Sequence, residues 1–82
     1  MTGKVVVVGG SGFIGSHVAD CLSDNGYQVT IFDHIHSTWL REDQDMVVGD
    51  VLDTEALERT IEGAKFVYNF AALADLNQAL NQ

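Results

Sequence analysis

Basic side chains are scarce in this 82-residue sequence: Lys4, Arg41, Arg59 and Lys65 stand against twelve acidic residues, for a net charge of −8. They are scattered, so no basic patch exists to displace counterions from a nucleic-acid backbone. Anionic membrane surfaces are disfavoured on the same ground. Any phosphate held by this chain is therefore expected to rest on backbone amides and dipoles. Cysteine is nearly absent too. Cys21 stands alone, which excludes an internal disulfide; on the inward stripe of a predicted helix, it reads as a small buried apolar residue. Long apolar runs are missing as well. The N-terminal run stops at Gly9, too short for a signal-peptide core or a bilayer span, and a cytoplasmic location is expected. A metal site also lacks its parts. His34 and His36 lie two apart beside Asp33, but no third ligand has recognisable spacing, so both are expected to be exposed loop histidines, as is His17 on a helix surface.

The remaining composition, 46% hydrophobic, is that of an ordinary globular domain, and the length allows one small core. Lys4 to Val8 is a continuous β-branched run, the pattern of a strand covered on both faces in a parallel sheet. The period then changes. Ile14, Val18 and Leu22 recur every four residues with Cys21 alongside, Ser16, Asp20, Ser23 and Asp24 fall elsewhere, and Gly26 follows as a stop. Gln28 to Phe32 forms a second strand ending at Asp33, and Asp45 to Val48 a third ending at Gly49 and Asp50. The intervening HIHSTWLREDQ is too short for an ordinary crossover helix, and irregular structure is expected there.

Asp53 or Thr54 can cap a helix with Glu55 in its first turn and Leu57, Ile61 and Ala64 on one face, closing near Gly63. Lys65 to Phe70 reads as a fourth strand. Leu76, Ala79 and Leu80 begin another helix from Asp75, and the chain stops at Gln82 without a cap, glycine or polar tail, so a truncated unit is expected. This alternation predicts an α/β fold: a Rossmann-type parallel sheet in the order 3-2-1-4 with helices on both faces.

Val5 to Asp20, VVVVGGSGFIGSHVAD, places four glycines within seven positions at the junction of strand and helix. Free amides and the helix dipole there favour an anion. Gly9 would permit the tight turn, Gly12 the approach of a diphosphate to the backbone, and Gly15 close packing of helix and strand; Gly10 has no evident role beyond flexibility. A ligand-free turn is the alternative. Context favours the ligand, because the glycines follow a strand, open what reads as a capped amphipathic helix, and precede Asp33 at the end of the second strand. There a carboxylate accepts hydrogen bonds from an adenosine ribose. A P-loop is excluded, since Ser16 and His17 follow Gly15 where lysine and a hydroxyl residue are required. Asp33 also favours NAD over NADP, because a 2′-phosphate would set about two further negative charges against it.

With GGSGFIGSHVAD, FDHIHS, GDVLD and VYNFAA in this order, the chain resembles the N-terminal half of an extended short-chain dehydrogenase/reductase. It is most similar to the NAD-dependent nucleotide-sugar epimerases and dehydratases, across nearly all 82 residues. The resemblance implies that Gly9, Gly12, Phe13, Ile14 and Gly15 line the pyrophosphate and that Asp33 binds the adenine ribose. It implies further that Asp50 and Val51 flank the adenine, and that Phe70, Ala71 and Ala72 floor the nicotinamide-side ribose. GDVLD can also be read as a helix-capping turn, with Asp53 as the cap.

The family's chemistry requires a tyrosine with a lysine four residues on. Here Tyr27 is followed at that spacing by Ile31 and Tyr68 by Ala72. Residues 1–82 are therefore expected to be an NAD-binding Rossmann domain, truncated before the catalytic and substrate-binding portion and not catalytically competent alone. The parent's substrate would be a nucleotide sugar. Two other readings stay open: a non-catalytic fragment that self-associates through the exposed sheet edge, and an NADP-dependent reductase or sensor on the same fold.

Overall fold

The computed structural model describes residues 3–70. Its elements follow in the order β1 (Lys4–Val8), α1 (Phe13–Asp24), β2 (Gln28–Asp33), β3 (Gln44–Val48), α2 (Thr54–Ile61) and β4 (Phe66–Asn69). All pairings are parallel, with β1 matched to β2 from Lys4↔Gln28 and to β4 from Val5↔Phe66, and β2 matched to β3 from Val29↔Gln44. The sheet order is β3-β2-β1-β4, as the sequence predicts.

Its continuous valine run suits β1 to a central position. Val5, Val6, Val7 and Val8 are all buried, and full burial of such a side chain contributes roughly 1.5–3 kcal/mol. Successive side chains point to opposite faces. Val7 joins Ala19, Val29 and Ile31 in the core beneath α1, with Leu22, Tyr27 and Leu40 packed against it. Val6, Val8 and Phe32 form the core beneath α2, with Ala56, Leu57, Ile61 and Ala64 packed against it. The two helices thus cover opposite faces.

The structure corrects the expected phase of α1. Gly15, Ser16 and Ala19 are its buried residues, whereas Ile14 is 57% exposed and Cys21 is exposed rather than buried. Backbone contact sets this phase, because a Cβ on Gly15 would lie 2.7 Å from both the Gly9 carbonyl oxygen and the Gly10 Cα. Turning that bare backbone against the glycine turn carries Ala19 inward by the helical period and Cys21 outward. No side chain caps the start of α1, where Gly12 is the N-cap.

At the other end of α1, Gly26 has a φ of 89°. The Gly26 N–H donates to the Ser23 carbonyl at 3.1 Å and the Tyr27 N–H to the Leu22 carbonyl at 3.2 Å, the bond pair of a Schellman motif. Helix α2 is capped as one of the two candidates predicts, since the Asp53 carboxylate accepts from the Ala56 N–H at 3.2 Å. Its Glu55 and Arg59 complement the helix dipole.

Residues 34–43 are irregular, as expected. They are pinned by Arg41, which pairs with Asp24 at 2.9 Å and Asp43 at 3.0 Å. Strand β4 is two residues shorter than predicted, but the Lys65 and Phe70 N–H groups continue the ladder by donating to Lys4 and Val8 carbonyls, each at 2.7 Å. The helix expected from Asp75 lies outside the described residues, and among these no helix is long and apolar enough to cross a membrane.

Candidate functional site

The chain turns sharply where β1 meets α1. Gly9 has a φ of 79°, in the left-handed region that favours glycine, and its N–H donates to the Phe32 carbonyl at 2.7 Å. Gly10 has a defined role that the sequence did not disclose. A Cβ there would lie 2.9 Å from Ile31 Cγ2 and 3.0 Å from Val7 Cγ1, so the position is closed by side chains of two strands. Gly12 differs from both. Its backbone is extended, and a Cβ would meet only the Gly9 carbonyl oxygen, at 3.9 Å. Space beside Gly12 is open, as a cradle requires.

No hydrogen bond among the described residues takes up the N–H groups of Gly12, Phe13, Ile14 or Gly15. These donors open α1, where the aligned peptide dipoles add positive potential. Phe13 and Ile14 are 68% and 57% exposed beside them, and the Phe13 ring meets His17 edge-on at 4.6 Å.

Asp33 comes to the same place from the end of β2. Its carboxylate, 12% exposed, accepts from the Ser11 N–H at 3.1 Å through Oδ2 and from the His34 N–H at 2.7 Å through Oδ1. The exposed His34 ring approaches Oδ1 at 2.8 Å through Nδ1. Ser11 also donates its hydroxyl to the Ile35 carbonyl. The predicted residue and the glycine turn are thus joined directly, and Ser11, which the glycine spacing passes over, makes the joint.

The end of β3 completes this edge. The Gly49 N–H donates to the Asp33 carbonyl at 2.9 Å, and a Cβ on Gly49 would lie 2.9 Å from Phe32 Cζ. Asp50 is exposed, and its carboxylate accepts from the Leu52 N–H at 2.9 Å. Val51 is partly buried and packs with Val6, Val8 and Phe32, while Leu52 is 84% exposed. Phe70 follows β4 at this edge and packs with the core under α1. Ala71 and Ala72 lie outside the described residues.

The four basic residues gather toward the opposite edge, where the strands begin. Lys4 opens β1 and donates to the Glu62 carbonyl at 3.2 Å; Lys65 immediately precedes β4. Arg59 shares with Lys4 and Asp45 a shallow groove beside α2, to which the glycine turn contributes nothing. Arg41 is held charged, its pKa raised by the hydrogen bond to Asp24 and further by Asp43. No basic side chain stands at the glycine turn, so an anion there would be met by backbone donors. Among the described residues no group of three potential metal ligands gathers.

Comparison with known proteins gives a consistent result. Residues 5–82 match the model of the NAD dependent epimerase/dehydratase family. A 3-beta-hydroxysteroid dehydrogenase of Mycolicibacterium neoaurum is 33% identical over 75 residues, covering 90% of this chain and 20% of the relative. The crystal structure of a UDP-glucose 4-epimerase from Brucella ovis in complex with NAD superposes with a TM-score of 0.73 and 40% identity, over 83% of this chain and 22% of that one. A Thermotoga maritima UDP-glucose 4-epimerase solved with UDP-glucose has a TM-score of 0.70 and 34% identity, over 80% and 23% of the two chains. The chain spans about a fifth of the length of the curated relatives it matches.

Proposed function

The chain belongs to the NAD-dependent epimerase/dehydratase family, and on that premise we propose that it forms the NAD-binding portion of a nucleotide-sugar epimerase or dehydratase. One observation carries the reading: free N–H groups at the start of α1 share an edge with the Asp33 carboxylate, beside a glycine whose missing side chain leaves open space. Those donors suit a diphosphate. Asp33 suits the adenine-side ribose, and Asp50 and Val51 would flank the adenine. Phe70, with Ala71 and Ala72, would lie under the nicotinamide-side ribose.

NAD supplies the hydride acceptor for chemistry of this class. This chain's own residues bind and orient the dinucleotide; neither Tyr27 nor Tyr68 has a lysine four positions on to make it a base. The UDP-glucose epimerases among its structural neighbours favour a nucleotide sugar as the substrate of the longer protein. NAD is favoured over NADP because Asp33 would repel a 2′-phosphate and the basic residues lie toward the far edge.

Calorimetric titration with NAD, NADP and an Asp33→Ala variant tests this. NAD-selective binding, weakened about tenfold or more by the substitution, is expected from loss of hydrogen bonds to a charged group. Heat from neither dinucleotide would refute the reading.

Strand β4 favours a second reading for the isolated chain. All four of its residues are exposed, with Phe66 and Val67 each at 46%, and an apolar edge strand invites pairing. Light scattering after size exclusion should show a dimer or larger species; a monomer at every concentration would rule this reading out.

A further inference from the structure

We propose that Ser11 is a positioning residue that sets the preference for NAD over NADP, by holding the Asp33 carboxylate at the rim of the glycine cradle. The inference rests on the assignment of Asp33 to the adenine-side ribose. Asp33 sits at a branch point. Its carbonyl is anchored to β3 by the Gly49 N–H at 2.9 Å, but beyond it the chain leaves the sheet and His34, Ile35 and His36 are all exposed.

The carboxylate there is contested by two sets of donors. The inner donor is the Ser11 N–H, 3.1 Å from Oδ2. The outer donors are the His34 N–H, 2.7 Å from Oδ1, and the His34 ring, whose Nδ1 lies 2.8 Å from the same oxygen. Any residue but proline at position 11 supplies the inner N–H. Only a hydroxyl residue also reaches across to the Ile35 carbonyl, as Ser11 does, and so ties the segment after β2 to the turn after β1.

Without that tie, residues 34–36 lose their hydroxyl bond to the glycine turn, and the carboxylate, kept inward only by the N–H of residue 11, is drawn outward with His34. Both consequences have the same sign for selectivity. The ribose diol loses a carboxylate held in place, which weakens NAD. A 2′-phosphate loses the fixed charge that repels it, which relieves NADP.

The test is a double-mutant cycle on the 82-residue chain, titrated with NAD and NADP. Ser11→Ala should weaken NAD about three- to tenfold, the size expected for one hydrogen bond, and lower the NAD-to-NADP ratio; Ser11→Thr should restore both. In an Asp33→Ala background, Ser11→Ala should change neither affinity further, because the effect runs through the carboxylate. Unfolding curves of the variants establish that they fold.

Equal losses in both backgrounds would overturn the proposal while leaving Asp33 as the ribose acceptor. An unchanged NAD-to-NADP ratio in Ser11→Ala would overturn it in the same way. If Asp33→Ala itself binds NAD as the parent chain does, the assignment of Asp33 falls, and the inference with it.

Discussion

The glycines of the turn divide by what a methyl group would strike. At Gly15 it strikes the Gly9–Gly10 peptide at 2.7 Å, which cannot yield without moving the turn. Gly15→Ala should therefore destabilise the fold by about 1–3 kcal/mol, read as a lower urea midpoint by circular dichroism. At Gly12 it meets nothing nearer than 3.9 Å, and the φ of −75° suits alanine. Gly12→Ala should change stability by about 1 kcal/mol or less, the scale of an N-cap exchange, yet weaken NAD by about tenfold by holding the diphosphate off the backbone. A Gly12→Ala chain that binds NAD normally would mean that the open space is not the cradle.

The helices are terminated by different means, and their sensitivities differ accordingly. Helix α1 has no side-chain cap and ends in a glycine-closed motif, which leaves its N-terminal donors free for a ligand. Helix α2 is eight residues long and capped by Asp53. A helix this short is marginal alone, so the cap and the half-buried stripe of Leu57 and Ile61 must hold it. Asp53→Ala should cost about 1 kcal/mol without altering NAD affinity, which thermal unfolding beside calorimetry would check. A large loss of binding would mean that the turn from Asp50 to Asp53, and not the core, positions the adenine edge.

Across the whole molecule, the four lysines and arginines lie away from the glycine turn. The basic residues gather toward the edge where the strands begin, while Asp33, Asp50 and Asp53 lie where they end. A chain of net charge −8 repels a dinucleotide diphosphate at long range, and no basic side chain offsets this at the turn. Added salt screens repulsion. Raising ionic strength from about 0.05 to 0.5 M should leave NAD affinity unchanged or tighten it up to about twofold. Weakening by an order of magnitude would show that a cation holds the diphosphate.

Element types and their order were legible in the sequence because hydrophobic periodicity and turn chemistry are local. Four valines before four glycines already specify a buried parallel strand entering a helix, and Asp33 is identified by its place at the end of the next apolar run. Helix phase was not legible. Ile14, Val18, Leu22 and Cys21 make an acceptable stripe on paper, yet Gly15 against the Gly9 carbonyl turns Ile14 and Cys21 outward and Ser16 inward. Gly10 looked like slack until Ile31, from another strand, closed on it. Ser11 belonged to no spacing rule until β2 brought Asp33 and Ile35 beside it. The sequence by itself determined what could be read within one turn or one strand. Only the tertiary structure decided which surfaces touch, because these contacts, whether Gly15 on the nearby Gly9 carbonyl or Gly10 and Ser11 on residues more than twenty further on, follow no local period.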